Sequence, residues 1–394
     1  TVNVTITSDT VINVLSLNDL VMAPVKDTAP VTTPIDQSQY TGTIIWQKSD
    51  GASFAGNFAP ATVYQAIVTL TAKPGYTLTG VTADSFTYTG ANVTNAAGSG
   101  TVTIVFPATA AYTLGVHTAG PMDLKDLFGI SASGAAGVGD TFKALSGLIS
   151  TPKAGDEDLA SIIQLGDYID LPSLQVDAYN GEGAFNESNT DLGAHGKLLR
   201  LMVVGINSFH SDGTYTETAN DATKHVVFQF QNVPVERRME ATNTNANGYL
   251  GSEMRKYLVP TTDPGSGSFL AGLVAAGVPD EALWAPKRYV ANGGTGATAA
   301  DLIEDKLWLP TVWELFGPAL YLSYENFANQ VHLAYYTSDA ERLKYHSSNA
   351  VWWYWTASPF SGANSYFFDV GTYGYADVSR ASAVGGCAPA FCVR

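Results

Sequence analysis

The chain has 394 residues, 45% hydrophobic and 14% charged, a balance that supports sizeable packed cores and excludes a disordered protein. Its formal net charge of -16, from 36 acidic against 20 basic residues, argues against nucleic acid as a partner, because phosphate binding needs clustered Lys and Arg. No apolar run reaches the roughly 18 residues of a membrane span, and two cysteines are too few for a disulfide framework.

Residues 1–112 read as all-β. Tyr64, Ala66, Val68 and Leu70 alternate with Gln65, Ile67, Thr69 and Thr71, and Val102, Ile104 and Phe106 alternate with Thr101, Thr103 and Val105. A period of two places one set inward and the other outward. Turn signals, KPG at 73–75 and GSG at 98–100, separate such runs. With Trp46 and Phe86 as core aromatics, the expectation is a β-sandwich that serves as a spacer. The segments TGTIIWQKS, FAPATVYQAIVTLTAKPGYTLTGV, DSFTYTGA and AGSGTVTIVFPAT resemble the immunoglobulin-like modules of bacterial surface proteins. Because the chain begins with Thr1 rather than Met, a removed signal, a lipid anchor or further domains could lie upstream.

The stretch PATAAYTLG, Pro107 to Gly115, reads as the hinge, and 113–394 as an α+β domain. LLRLMVVGI (198–206) and HVVFQFQ (225–231) are near-continuous apolar strands. Short helices are expected at Ser252–Leu258, at Ser268–Ala276 with Ser268 as its cap, at Asp301–Leu307 and at Ala340–Tyr345.

Chemistry-bearing motifs are sparse. His117, His195, His210, His225, His332 and His346 show no HxH or HExxH spacing, so neither metal nor cofactor is expected. Asp156, Glu157, Asp158, Asp167 and Asp170 lack the spaced ligand series of a calcium loop and read as solvated. No phosphate loop, nucleophile elbow or Ser/His/Asp order is present, so no catalytic residue is assigned. In VWWYWTASP, Trp352, Trp353 and Trp355 read as core support, with carbohydrate stacking as the alternative. Cys387 and Cys392 read as buried structural thiols.

One compositional feature is unusual. The chain holds 12 Lys, 12 Glu, 9 Gln, 5 Met and 7 Trp, yet none occurs in the 39 residues after Trp355. A Gly- and Ser-rich β-region disfavours long helix-forming side chains and accounts for part of this.

The order of landmarks HVVFQFQNVPVERRMEATNTNANGYLGSEMRKYL, LWAPKRYVAN, DKLWLPTVWELFG, WWYWTASPFSG and GGCAPAFCVR resembles the C-type-lectin-fold variable proteins of diversity-generating retroelements, in the treponeme-like branch. The resemblance covers about Leu114 to Arg394. It implies a C-type lectin fold, like that of formylglycine-generating enzymes, whose last strands display a hypervariable ligand-binding surface at a cell surface or on a phage particle. It also implies adenine-directed mutagenesis, in which AAY template codons become NNY codons. Such codons cannot encode Lys, Glu, Gln, Met or Trp, the five absent types.

The residues implied as that surface are Asn364, Tyr366, Phe368, Asp369, Thr372, Tyr373, Tyr375, Asp377, Val378, Ser379, Arg380 and Ser382. Tyr366, Phe368, Tyr373 and Tyr375 would be anchors and the polar residues directional contacts, as in antibody paratopes. Phe367 is expected to point inward. The ligand would be a protein or a glycan. Two other readings stand beside this one. Formylglycine-generating oxidases also carry two cysteines five residues apart, as Cys387 and Cys392 are, which would bind copper. A fixed-specificity carbohydrate-binding lectin is the other, although EPN, QPD and WND motifs are absent.

Overall fold

A computed structural model describes residues 8–394 except 27, 55, 112–113, 116, 118–119, 151–158, 212, 214–223, 297–298 and 320–328. The chain divides into two compact units, Thr1–Thr113 and Leu114–Arg394. Among the described residues no helix is long and apolar enough to cross a membrane.

The first unit is built on one antiparallel sheet. Its strands are β1 (Ile35–Asp36), β2 (Tyr40–Lys48), β3 (Tyr64–Ala72), β4 (Asn92–Asn95) and β5 (Thr101–Val105), in the order β1-β2-β3-β5-β4. The inward set Tyr64, Ala66, Val68 and Leu70 is buried, as is Val102, Ile104 and Phe106. Trp46 packs edge-on against Phe58 at 4.9 Å and lies 5.4 Å from Phe106. Ile12, Leu17, Val21, Val81 and Phe86 belong to the same core. They come from segments joined by short parallel pairing, Thr10 with Tyr76 and Val11 with Thr77. Among the described residues this unit thus carries one five-stranded sheet and one two-residue ladder rather than two comparable sheets.

The second unit is mixed α and β. Its strands in chain order are β6 (Tyr168–Asp170), β7 (Arg200–Ile206), β8 (Val226–Phe230), β9 (Val235–Arg238), β10 (Leu283–Trp284), β11 (Lys287–Ala291) and β12 (Ala300–Glu304). The C-terminal region adds β13 (Tyr354–Pro359), β14 (Tyr366–Val370), β15 (Ala376–Arg380), β16 (Val384–Cys387) and β17 (Ala390–Val393). They form two five-stranded sheets, β10-β17-β8-β7-β6 and β9-β16-β13-β14-β15. The second is antiparallel except where β13 runs parallel to β16.

The first sheet is covered by α1 (Gly134–Ser150), whose Phe142 meets Phe228 of β8 at 5.5 Å and Phe391 of β17 at 6.1 Å. This helix was not expected. Four glycines in its seventeen residues lower its helical propensity, whereas the buried stripe Val138, Thr141, Phe142, Leu145, Ile149 carries the helical period.

Shorter helices include Leu124–Leu127 and, further along the chain, α2 (Glu253–Leu258), α3 (Ser268–Ala275), α4 (Val312–Phe316) and α5 (Asp339–Arg342). Ser252 caps α2 by accepting from the Arg255 N–H. At α3 the cap is Gly267 in a left-handed conformation, and Ser268 is a buried first-turn residue rather than the cap. The helix expected at Asp301–Leu307 is instead β12, paired with β11 with Ile303 turned inward. A segment this short cannot repay helix nucleation, and cross-strand pairing prevails. The helix expected at Ala340–Tyr345 stops at Arg342, and Lys344–Tyr345 pairs as strand with Val351–Trp352.

Candidate functional site

The sheet bearing the predicted surface is founded on β13, buried at every position. Trp355 is fully buried, its Nε1 donating to the Arg237 carbonyl of β9 at 2.9 Å. Tyr354 is likewise buried and donates to the Arg342 carbonyl at 3.0 Å. Trp352 and Trp353 are only half-buried, which corrects their assignment to the core. Trp353 contacts Trp355 edge-on at 4.9 Å and covers Gly385 of β16, while Trp352 lies 5.3 Å from His346.

Between Trp355 and Pro359 the register with β14 slips, and the Thr356 hydroxyl donates to the Phe368 carbonyl at 2.8 Å within that irregularity. The loop 360–365 that follows is held by Asn245. This wholly buried side chain donates through Nδ2 to the carbonyls of Phe360 (3.0 Å), Ala363 (2.9 Å) and Tyr366 (2.7 Å). Its Oδ1 accepts from the Gly294 N–H, and its own N–H donates to the Asn364 carbonyl. Sequence reading did not single out Asn245. Its signal is confined to the polar run ATNTNANG, in which nothing marks one Asn above another.

Strands β14 and β15 form a hairpin closed by the turn 371–375, with Gly371 N–H donating to the Tyr375 carbonyl at 2.8 Å. Gly374 has φ +79° and lies against the Asp339 backbone, where a Cβ would come within 2.2 Å of the carbonyl oxygen. Only glycine fits there. β15 is the outermost strand of the sheet.

The predicted surface residues fall into three groups. Asn364, Thr372, Tyr373, Tyr375, Asp377 and Arg380 are exposed, Tyr373 by 79% and Tyr375 by 59%. Tyr366, Val378, Ser379 and Ser382 are half-buried. Phe368 and Asp369 are buried, at 2% exposure each, and so are corrected: neither is a surface anchor or contact. Phe367 is buried as expected, but so is its neighbour Phe368, because the opposite face of β14 is covered by the loop and Phe368 packs edge-on against Phe360 at 5.4 Å. Asp369 sits between Trp355 on β13 and Asp377 on β15, in register with both.

The exposed residues divide by position. Thr372, Tyr373, Tyr375 and Asp377 lie at or beside the turn. Arg380 opposes Tyr366 at the other end of the hairpin, where the Ala381 N–H donates to the Ser365 carbonyl next to Asn364. A five-residue strand separates the ends by roughly 13 Å.

Electrostatically the second unit holds several ionisable groups away from water. Burial, reinforced by the charge of Asp377 and partly offset by a hydrogen bond with Ser379, pushes the Asp369 carboxyl up to about 7. Burial alone pulls the Lys344 ammonium down to about 7; its Nζ donates to the Phe230 carbonyl at 2.6 Å. Cys387 and Cys392 are free, wholly buried thiols whose pKa values burial raises. That environment opposes the thiolate required for copper binding.

Of the acids weighed as calcium ligands, Asp167 accepts from the Met122 and Gln164 N–H groups and pairs with His117, and Asp170 is bound twice by Arg200. Residues 156–158 lie outside the described residues. Among the described residues no three His, Cys, Asp or Glu side chains are grouped to hold a metal.

The sequence model of a family described as a domain of unknown function, DUF6273, matches residues 222–394, a span that contains the whole second sheet with the hairpin and Asn245. No curated protein and no solved structure matches the chain.

Proposed function

We propose that the second unit is a non-enzymatic display module whose C-terminal hairpin and adjoining loop bind ligands, with side chains diversified by a retroelement and the first unit acting as a spacer. In this reading the fold is of the C-type lectin kind, the first unit is immunoglobulin-like, and the protein works at a cell surface or on a phage particle.

The observation that carries the proposal is the contrast within one short stretch. Asn364, Thr372, Tyr373, Tyr375, Asp377 and Arg380 are exposed on a frame whose strand β13 is buried throughout. All six residues are of types that NNY codons can encode, and the five types such codons exclude are absent from the stretch. Exposed Tyr beside small polar groups suits recognition at low entropic cost.

The test has a genetic and a physical arm. DNA flanking the gene should hold an adenine-rich near-copy of the terminal codons beside a reverse-transcriptase gene, with mismatches at its adenines. A library randomised with NNY codons at the six exposed positions should keep its melting temperature and yield binders to purified proteins. Mismatches spread over all four bases, or a library that unfolds, would overturn the reading.

A further inference from the structure

We infer that the ligand received at the turn end of the hairpin presents a cationic group, an ammonium or a guanidinium, to the Asp377 carboxylate, with Asp369 behind it as a second negative charge set by protonation. This rests on the display reading above.

Asp369 and Asp377 are directly opposite in the β14–β15 register. Opposed residues of an antiparallel pair point to the same face with Cα atoms about 4.5–5.5 Å apart. Asp377 is exposed, while Asp369 is 2% exposed with one carboxyl oxygen, Oδ2, that is buried and has no hydrogen-bond partner among the described residues. Asp377 is engaged through Oδ1 by its neighbour, the Val378 N–H, at 2.8 Å.

The groups facing Asp369 are the neutral Trp355 of β13, Phe367 on its own strand, and Asp377 and Ser379 of β15. Arg380 alternates to the other face of β15. No cation therefore offsets the pair among the described residues, and the charge acting on Asp369 is the like charge of Asp377. An uncompensated buried carboxyl is destabilising, and such groups concentrate where a ligand completes them. Tyr373 and Tyr375 beside the pair add exposed ring faces that attract cations. A carboxylate or phosphate ligand would meet repulsion instead.

A cation seated against Asp377 replaces repulsion at Asp369 by attraction and lowers its pKa. By linkage the ligand then binds more tightly as pH rises through the neutral range, where Asp369 passes from neutral to charged, and binding releases a proton.

The test is amide chemical-shift titration of the whole chain with n-butylguanidinium and n-butylammonium chlorides, against butyramide, sodium butyrate and calcium chloride. Both organic cations should shift amides 375–379 and the controls should not. Affinity should be several-fold higher at about pH 8 than at about pH 6, by up to about tenfold for each unit the cation lowers the Asp369 pKa. Asp377→Asn should weaken binding by about tenfold, and Asp369→Asn should bind with no pH dependence. Equal response to butyramide, response to calcium alone, a flat pH profile in the unaltered protein, or full binding by Asp377→Asn would each overturn the inference. If it fails while library binders still lose affinity on Tyr373→Ala, the display reading stands without it. If no binder maps to the hairpin, the display reading fails as well.

Discussion

Trp353 rests on Gly385 so closely that a Cβ on that glycine would come within 2.3 Å of the indole carbons. Gly385→Ala is therefore expected to destabilise by about 1–3 kcal/mol through overpacking. Trp355→Ala, which empties a fully buried site, should cost about 3–5 kcal/mol. Trp353→Ala should fall below it, because that ring is half-exposed. Urea midpoints of the three variants check the order.

Asn245→Ala removes one donor group from three backbone carbonyls and leaves them in a half-buried setting. The expected loss is about 1–3 kcal/mol, together with faster amide hydrogen exchange across residues 360–366. Exchange confined to distant segments would show that the loop is held by other contacts.

Protonation equilibria give stability two opposite slopes. Lys344 is pulled down to about 7 from 10.5, so between these values the unfolded chain holds a proton that the folded chain has released. Stability therefore rises with pH across that window, and is lost as pH falls towards 7. Lys344→Met should flatten the rise. Glu240 and Asp369 are pushed up to about 7 from 4.5 and 3.8, Glu240 by burial first and by the charge of Glu253. In their window the folded chain holds the extra proton, so stability falls as pH rises towards 7. Glu240→Gln and Asp369→Asn should each reduce that fall. Melting temperatures at steps from about pH 4 to about pH 10 read both signs.

Cys387 and Cys392 should resist iodoacetamide in the folded protein and react fully once it is unfolded by urea, as expected for wholly buried thiols of raised pKa. Cys392→Ala should lower stability by about 1 kcal/mol. Alkylation of the folded protein at the rate of a free thiol would contradict the burial.

Tyr373→Ala and Tyr375→Ala should change stability by no more than about 0.5 kcal/mol, since both rings project into solvent. Any anchor among the exposed residues should weaken ligand capture by about 2 kcal/mol when truncated.

Strands with one solvated face were legible in the sequence. The alternation at Tyr64–Ala72 identifies both the strand and its inward side, and the near-continuous apolar run at Val226–Phe230 marks a strand buried on both faces. The Ser252 cap was legible because its hydrogen bond is local. Features that depend on what lies across space were not. Phe368 and Asp369 alternate in direction, yet both are buried; Phe368 is covered by Phe360 of the loop, a contact that strand alternation does not reveal. The glycines of Gly134–Ser150 hid a helix whose burial comes from Phe228 and Phe391, distant in sequence.

The grip of Asn245 on residues 360, 363 and 366 is exerted on carbonyl oxygens alone. Every amino acid carries that group, so these three hydrogen bonds do not depend on which side chains stand at those positions. The side chain that makes them, Asn245, lies more than a hundred residues upstream of the loop. A substitution at position 360, 363 or 366 therefore leaves in place the acceptors that hold the loop to the upstream chain.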